Sequence, residues 1–168
     1  MEFFDVLMTR RSIRSFLPDP VGEEEIAALV KAGSMAPSAM NKQPWDFVVV
    51  TDRAKLDAIA DRHPYAKFAR EAPLAIVVTG SPKEASGDFW VQDCSAATEN
   101  ILLAARALGI GSVWCGLYPV KERADILADI LDIPEDHIPL SLIVLGRTEK
   151  SFTEAHRHNE AKIHRNSW

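Results

Sequence analysis

The sequence predicts an α/β domain built on four core strands, and three observations carry that prediction. Four short apolar runs, DFVVV, LAIVVTG, IGSVWCG and IPLSLIVLG, have the length and composition of buried strands. Stretches with apolar residues at helical spacing separate them. With 168 residues, 47% of them hydrophobic, the chain has the size of one ordinary domain that needs no disulfide or metal to close its core.

Taken in order, residues 2 to about 9 place Phe3, Phe4, Val6, Leu7 and Met8 in a short, strongly apolar helix. LPDPVG breaks it, and EEEIAALVKAG starts a second helix with three acids in its first turn, Ile26, Leu29 and Val30 at core spacing, and Gly33 as its terminator. SMAPSAMNKQPWDFVVV divides into a polar loop punctuated by Pro37 and Pro44 and a first strand whose Trp45 belongs to the core. TDRAKLDAIADR is a helix capped by Thr51 or Asp52, and APLAIVVTG is the second strand. DFWVQDCSAATENILLAARALG, with Phe89, Ala96, Ile101, Leu102 and Leu108 in its periodic pattern, predicts a central helix of about 20 residues, roughly 30 Å long, stopped by Gly109. IGSVWCGLYP follows as a strand or extended segment, VKERADILADIL as another amphipathic helix, and IPLSLIVLGR as the last strand.

The remainder, residues 148–168, is polar and cannot form a core of its own. It carries Phe152, Ile163 and Trp168, and two readings stand: a tail packing across another subunit, which implies a homo-oligomer, or a frayed terminus.

Composition excludes several classes. The 24 acidic and 19 basic side chains leave a formal charge of -5, which disfavours broad contact with nucleic acid or anionic lipid. Cys94 and Cys115 have no CxxC spacing, which points to a reducing compartment and the cytoplasm. MEFFDVLMTRR lacks the pattern of a secretory signal, and no apolar run reaches the roughly 20 residues of a membrane span. The five histidines lack HExxH spacing, so no metal site is expected; His63 reads as a solvent-facing loop histidine. LGIGSVWCG has Trp114 where a dinucleotide fingerprint needs its last glycine, and Ser12 and Ser38 lack the context of an acyl-transfer nucleophile.

One basic cluster stands out. RRSIRSF packs Arg10, Arg11, Ser12 and Arg14 into five residues behind the first helix. Three guanidinium forks and a hydroxyl suit a phosphate monoester, because arginine holds phosphate bidentately where lysine does not. The same residues also suit a solvated helix end, where cations face the negative pole.

RRSIRSF, APSAMNKQPW and LGIGSVWCG, with the ending IHRNSW, together resemble the FMN-dependent nitroreductase family, in particular its short single-domain members, over nearly the whole chain. The resemblance implies a three-layer α/β/α fold of the α+β class. Its central sheet would be mixed, mostly antiparallel and four-stranded, with a strand or tail exchanged in an intertwined homodimer. It implies two FMN molecules at the subunit interface. Arg10, Arg11, Ser12 and Arg14 would hold the flavin phosphate, ribityl chain and pyrimidine edge. Ser38, Ala39 and Met40 of the other subunit would line the flavin, with Asn41 and Gln43 shaping that loop. Val113, Trp114, Cys115 and Gly116 would pass over the ring, and Gly116 has a reason of its own, since a residue without Cβ lets backbone approach a flat ring closely. Arg165, or else Lys162, would meet the phosphate. Many members carry glutamate where Cys115 stands, so a carboxylate role is not carried over; the thiol reads as a packing residue.

With FMN in place no side-chain nucleophile is needed. The implied activity is a two-step hydride transfer from NADH or NADPH to a small, flat, electron-poor acceptor such as a nitroaromatic or quinone. The alternative is a flavin-binding protein without turnover, or a relative that consumes its flavin or serves one dedicated metabolite. Residues 62 to 70 and 82 to 92 read as mobile cover that selects the substrate.

Overall fold

The four apolar runs form one antiparallel sheet in the computed structural model, which describes residues 2–168. The strands are β1 (Trp45–Val50), β2 (Leu74–Gly80), β3 (Gly111–Gly116) and β4 (Ile138–Gly146), in the order β1-β2-β4-β3. The helices are α1 (Phe3–Thr9), α2 (Glu23–Ser34), α3 (Arg53–Arg62), α4 (Trp90–Ala107) and α5 (Lys121–Leu131).

Strand alternation sorts the side chains into two cores. Ala75 and Val77 of β2, Val113 and Cys115 of β3, and Leu142 and Val144 of β4 face α3 and α5, against Leu56, Ile59 and Leu127. Their neighbours Leu74, Ile76, Val78, Ile143 and Leu145 face α2 and α4, against Leu29, Ile101 and Leu102. The result is the expected three-layer α/β/α arrangement. It also explains why β2 and β4 read as unbroken apolar runs: both of their faces are covered, so every position but the half-buried Ile138 is buried. Each fully buried Leu or Ile contributes about 1.5–3 kcal/mol.

All strand pairs are antiparallel, and the parallel component of the expected mixed sheet shrinks to a single bridge between Ser12 and Ser112. Asp52, rather than Thr51, caps α3 by accepting from the Lys55 amide at 3.1 Å. Gly109 closes α4 in the left-handed region, φ 73°.

Two sequence expectations are corrected. Gly33 does not end α2 but lies inside it, where a Cβ would sit 2.9 Å from the Phe47 ring and 3.0 Å from Ile101; its role is to let α2 close onto α4 and β1. Phe89 precedes α4 and is exposed, so it is not part of that helix's core face. In the tail, Phe152 finds a partner within its own chain: the Arg106 guanidinium lies 4.3 Å from its ring centroid, and the Ala155 amide bonds to the Met8 carbonyl. From residue 156 onward every position is exposed, and Trp168 is fully so.

Candidate functional site

The basic cluster begins where α1 stops. Arg10 is the cap residue of α1 and pairs through Nε with Glu99 Oε1 of α4 at 3.3 Å. Arg11 turns back over the helix end and donates from Nη1 to the Met8 and Arg10 carbonyls, at 3.2 and 2.6 Å. To this extent both readings of the cluster hold: the Arg11 guanidinium serves the negative pole of α1, while the Arg10 side chain is engaged by Glu99. Yet Arg11 Nη2 is buried with no hydrogen-bond partner. A buried guanidinium nitrogen left unpaired is costly unless an acceptor arrives.

The chain then runs alongside β3, where the Ile13 amide donates to the Ser112 carbonyl at 2.9 Å. Ile13 points inward and is buried, so Ser12 and Arg14, one position to either side, point outward together. Arg14 therefore reaches the end of β3. There it lines a cavity of about 440 Å³ with Val113, Trp114, Cys115 and Gly116, which joins two of the three segments expected at the cofactor. A Cβ on Gly116 would meet nothing within 4 Å, so the chain's own packing does not require glycine here and the space above it is open to a guest.

The other lining residues are His63, Tyr65, Phe68 and Arg123. His63 is buried, contrary to its reading as a solvent-facing histidine. Its Nδ1 accepts the Tyr65 amide at 3.2 Å, which leaves the ring proton on Nε2, and Nε2 is buried without a partner. Burial, aided by the positive charge of Arg123, holds its pKa below the ordinary imidazole value, so the ring is neutral at pH 7. The Arg123 guanidinium lies 4.7 Å from the Tyr65 ring centroid, with Nη1 3.4 Å from the Gly116 carbonyl. No sequence signal points to Arg123, which the β3–α5 connection brings to the cavity.

No carboxylate lines this cavity, although the chain as a whole is acidic. Its polar surface consists mainly of donors: two guanidinium groups and the N–H of a neutral imidazole. Such a set suits a planar group rich in carbonyl oxygens, and the neighbouring Ser12 and Arg11 suit a phosphate.

Cys115 is a thiol in this setting. Burial pushes its pKa up to about 11, while Arg14 acts in the opposite direction. Cys94, buried and next to Asp93, is pushed up to about 12. Both should resist iodoacetamide at pH 8 in the folded protein and react on unfolding, as mass spectrometry would show, because only the thiolate is nucleophilic.

Residues 38–43 form a separate, tightly bent feature. Met40, Asn41 and Gln43 all have positive φ (54°, 54° and 50°), which costs non-glycine residues of order 1–3 kcal/mol each. Local bonds hold the bend: the Gln43 amide to Ser38 Oγ at 2.9 Å, and Gln43 Nε2 to Asn41 Oδ1 at 3.0 Å. Asn41 and Gln43 thus shape the loop through each other. One long-range bond fixes it to the core, from the Ala39 amide to Asp93 Oδ1 at 3.0 Å. Asp93 is buried and its second oxygen has no partner. Its signal in the sequence was a charged residue on the core face of an amphipathic helix, between Trp90 and Ala97. Asp93→Ala should accelerate hydrogen exchange of the Ala39 amide by about tenfold or more, as one charge-assisted bond is lost.

Ser38, Ala39 and Met40 do not line the Arg14 cavity of their own chain, and Met40 is 82% exposed. Arg165 and Lys162 lie in the exposed tail, also away from that cavity. A larger cavity of about 620 Å³, between α5 and the start of β4, contains none of the residues expected at a cofactor.

The sequence profile of the Nitroreductase family matches residues 7–63 and 60–147. The chain belongs to the nitroreductase family. A NADH dehydrogenase/NAD(P)H nitroreductase of Archaeoglobus fulgidus is 47% identical over 172 residues, covering 99% of each chain. A Bacteroides thetaiotaomicron structure of the same description superposes with a TM-score of 0.95 at 39% identity, covering 99% of this chain and 98% of that one. A nitroreductase of Desulfovibrio desulfuricans, solved in complex with FMN, superposes with a TM-score of 0.85 at 26% identity, covering 100% and 98%. Nitroreductase-family membership thus rests on almost the full length of the domain and not on the basic cluster alone. Among the described residues no helix is long and apolar enough to cross a membrane.

Proposed function

We propose that this nitroreductase-family chain is an FMN-dependent oxidoreductase that uses NADH or NADPH to reduce small, flat, electron-poor acceptors such as nitroaromatics or quinones. The observation that carries the reading is the carboxylate-free cavity in which Arg14 meets residues 113–116. The relatives agree: they are described as NAD(P)H nitroreductases, and FMN is bound in the Desulfovibrio protein.

FMN, when bound, supplies hydride acceptance and donation. The chain's own residues bind and orient it. Ser12, with the free nitrogen of Arg11 and with Arg10, would hold the phosphate, and Arg14 would supply positive charge at the pyrimidine edge. Gly116 would let the β3 backbone lie against the ring, and Val113, Trp114 and Cys115 would shape its bed. Ser38, Ala39 and Met40, with Asn41 and Gln43 behind them, would close the site from a second protomer, and Arg165 would reach the partner's phosphate.

We propose accordingly that the working form is a homodimer of single-domain chains with residues 148–168 packed on the partner, placed in the reducing cytoplasm. Two features support this. Phe3, Phe4, Leu7 and Met8 of α1 are exposed, between 44% and 72%, although they are apolar, and both cysteines are free.

The test is an absorbance scan of the purified protein followed by anaerobic titration. A flavin spectrum that bleaches with NADH or NADPH and returns with a nitro compound or quinone is expected. A colourless protein that cannot be reconstituted, or a yellow one indifferent to both nicotinamides, would overturn the reading.

A further inference from the structure

We propose that the cavity takes acceptors carrying an anionic group, such as nitroaromatic or quinonoid carboxylates, and that Arg123 is the residue that selects them. The inference rests on the function proposed above and goes beyond it in naming the charge of the substrate and the side chain that reads it.

Two guanidinium groups, Arg14 and Arg123, share one cavity of about 440 Å³ that has no carboxylate in its wall. Among the described residues neither is within ion-pair distance of any acid. On a chain of net charge -5 this is a local positive focus, and a concave one, where field lines concentrate. Its cations are two and not three, since His63 is neutral there.

The two arginines have different occupations. Arg14 lies beside Cys115 in the bed of the site and is assigned to the flavin. Arg123 lies at the rim, in the first turn of α5, where the helix pole is already positive and a cation is disfavoured. Glu122 of the same turn supplies the acid that this pole favours, whereas Arg123 pairs with no acid among the described residues, so its charge is not committed to the fold. Its own bonds are few: stacking on Tyr65, and one contact to the Gly116 carbonyl at 3.4 Å, near the limit for a hydrogen bond. Stacking fixes the plane of the guanidinium while most of its five donors stay free, which is the preorganised fork that a carboxylate fits. Tyr65 and Phe68 offer flat apolar surface for the body of an aromatic guest.

The experiment compares p-nitrobenzoate with p-nitrobenzyl alcohol as acceptors for the FMN-loaded wild type, Arg123→Gln and Arg123→Lys. The wild type should favour the acid. In Arg123→Gln the ratio of kcat/KM, acid over alcohol, should fall about tenfold, the loss of one charge-assisted contact, and Arg123→Lys should keep most of the preference. A second readout needs no turnover: benzoate binding to the oxidised holoenzyme, followed by its perturbation of the flavin absorbance, should weaken about tenfold in Arg123→Gln. A ratio unmoved by Arg123→Gln, or a loss confined to the KM for NADH or NADPH, overturns the inference while the proposed function stands. A wild type that takes up no FMN overturns both.

Discussion

Arg14→Ala is expected to purify largely colourless, with FMN affinity lowered about 10- to 100-fold and thermal stability of the apoprotein unchanged. The magnitude is that of hydrogen bonds made to a charged group. The unchanged stability follows from position. Arg14 is exposed and has no ion-pair partner among the described residues, so its removal leaves no buried group there unpaired. Arg10 is a poorer choice for the same experiment because it is tied to Glu99 and caps α1, and a loss there would mix folding with binding. Measured FMN titration of the apoprotein, beside a melting curve, separates the two effects. Wild-type affinity in Arg14→Ala would remove the assignment.

Gly116→Val should have the second large effect, on the cofactor and not on the fold. A Cβ at this position meets nothing within 4 Å, and β-branched residues suit a strand end, so the apoprotein should melt as the wild type does. The bulk of valine would stand where the ring is to lie, and flavin uptake should fall below detection at concentrations that saturate the wild type. Gly33 offers the contrast. Its Cβ would clash with Phe47 and Ile101, so the reason for glycine there is the packing of α2. Two glycines indistinguishable by composition thus differ in their surroundings, one facing inward to a packed core and one facing open space.

That contrast shows where sequence reading ended. The layer architecture was legible because periodicity is a direct consequence of burial: strands covered on both faces leave unbroken apolar runs, and helices covered on one side leave a stripe. Arg14 and residues 113–116 were legible through their motifs, and the structure does bring them to one cavity. Residues 62 to 70 were legible as a segment near the substrate, and His63, Tyr65 and Phe68 do line the cavity; the burial of His63 and the place of Arg123 were not, since nothing local distinguishes a covered or cavity-lining residue on a loop or first helical turn from a solvated one. His63 was misread for that reason: the turn after α3 folds back so that its ring is covered, which depends on packing and not on the composition of RHPYAKF. Asp93 left a trace, a charge on an otherwise apolar helix face, whose meaning emerged only once the strained loop it holds was seen. Phe152 meets the Arg106 face of α4, a contact of which the sequence gives no hint.

The separation of the two expected halves of the site within one chain carries the strongest demand on the account. Arg14 and Gly116 share a cavity that residues 38–40 of the same chain do not line, and the homodimer proposed above would bring the bend from a second copy. The most direct measurement is a crystal structure of the FMN-reconstituted protein. The account predicts one flavin at each Arg14 cavity, its phosphate at Ser12 and its ring against Gly116, with the bend at residues 38–43 of the second copy over it. A flavin seated instead in the cavity between α5 and β4, or enclosed by segments of one chain alone, would contradict it.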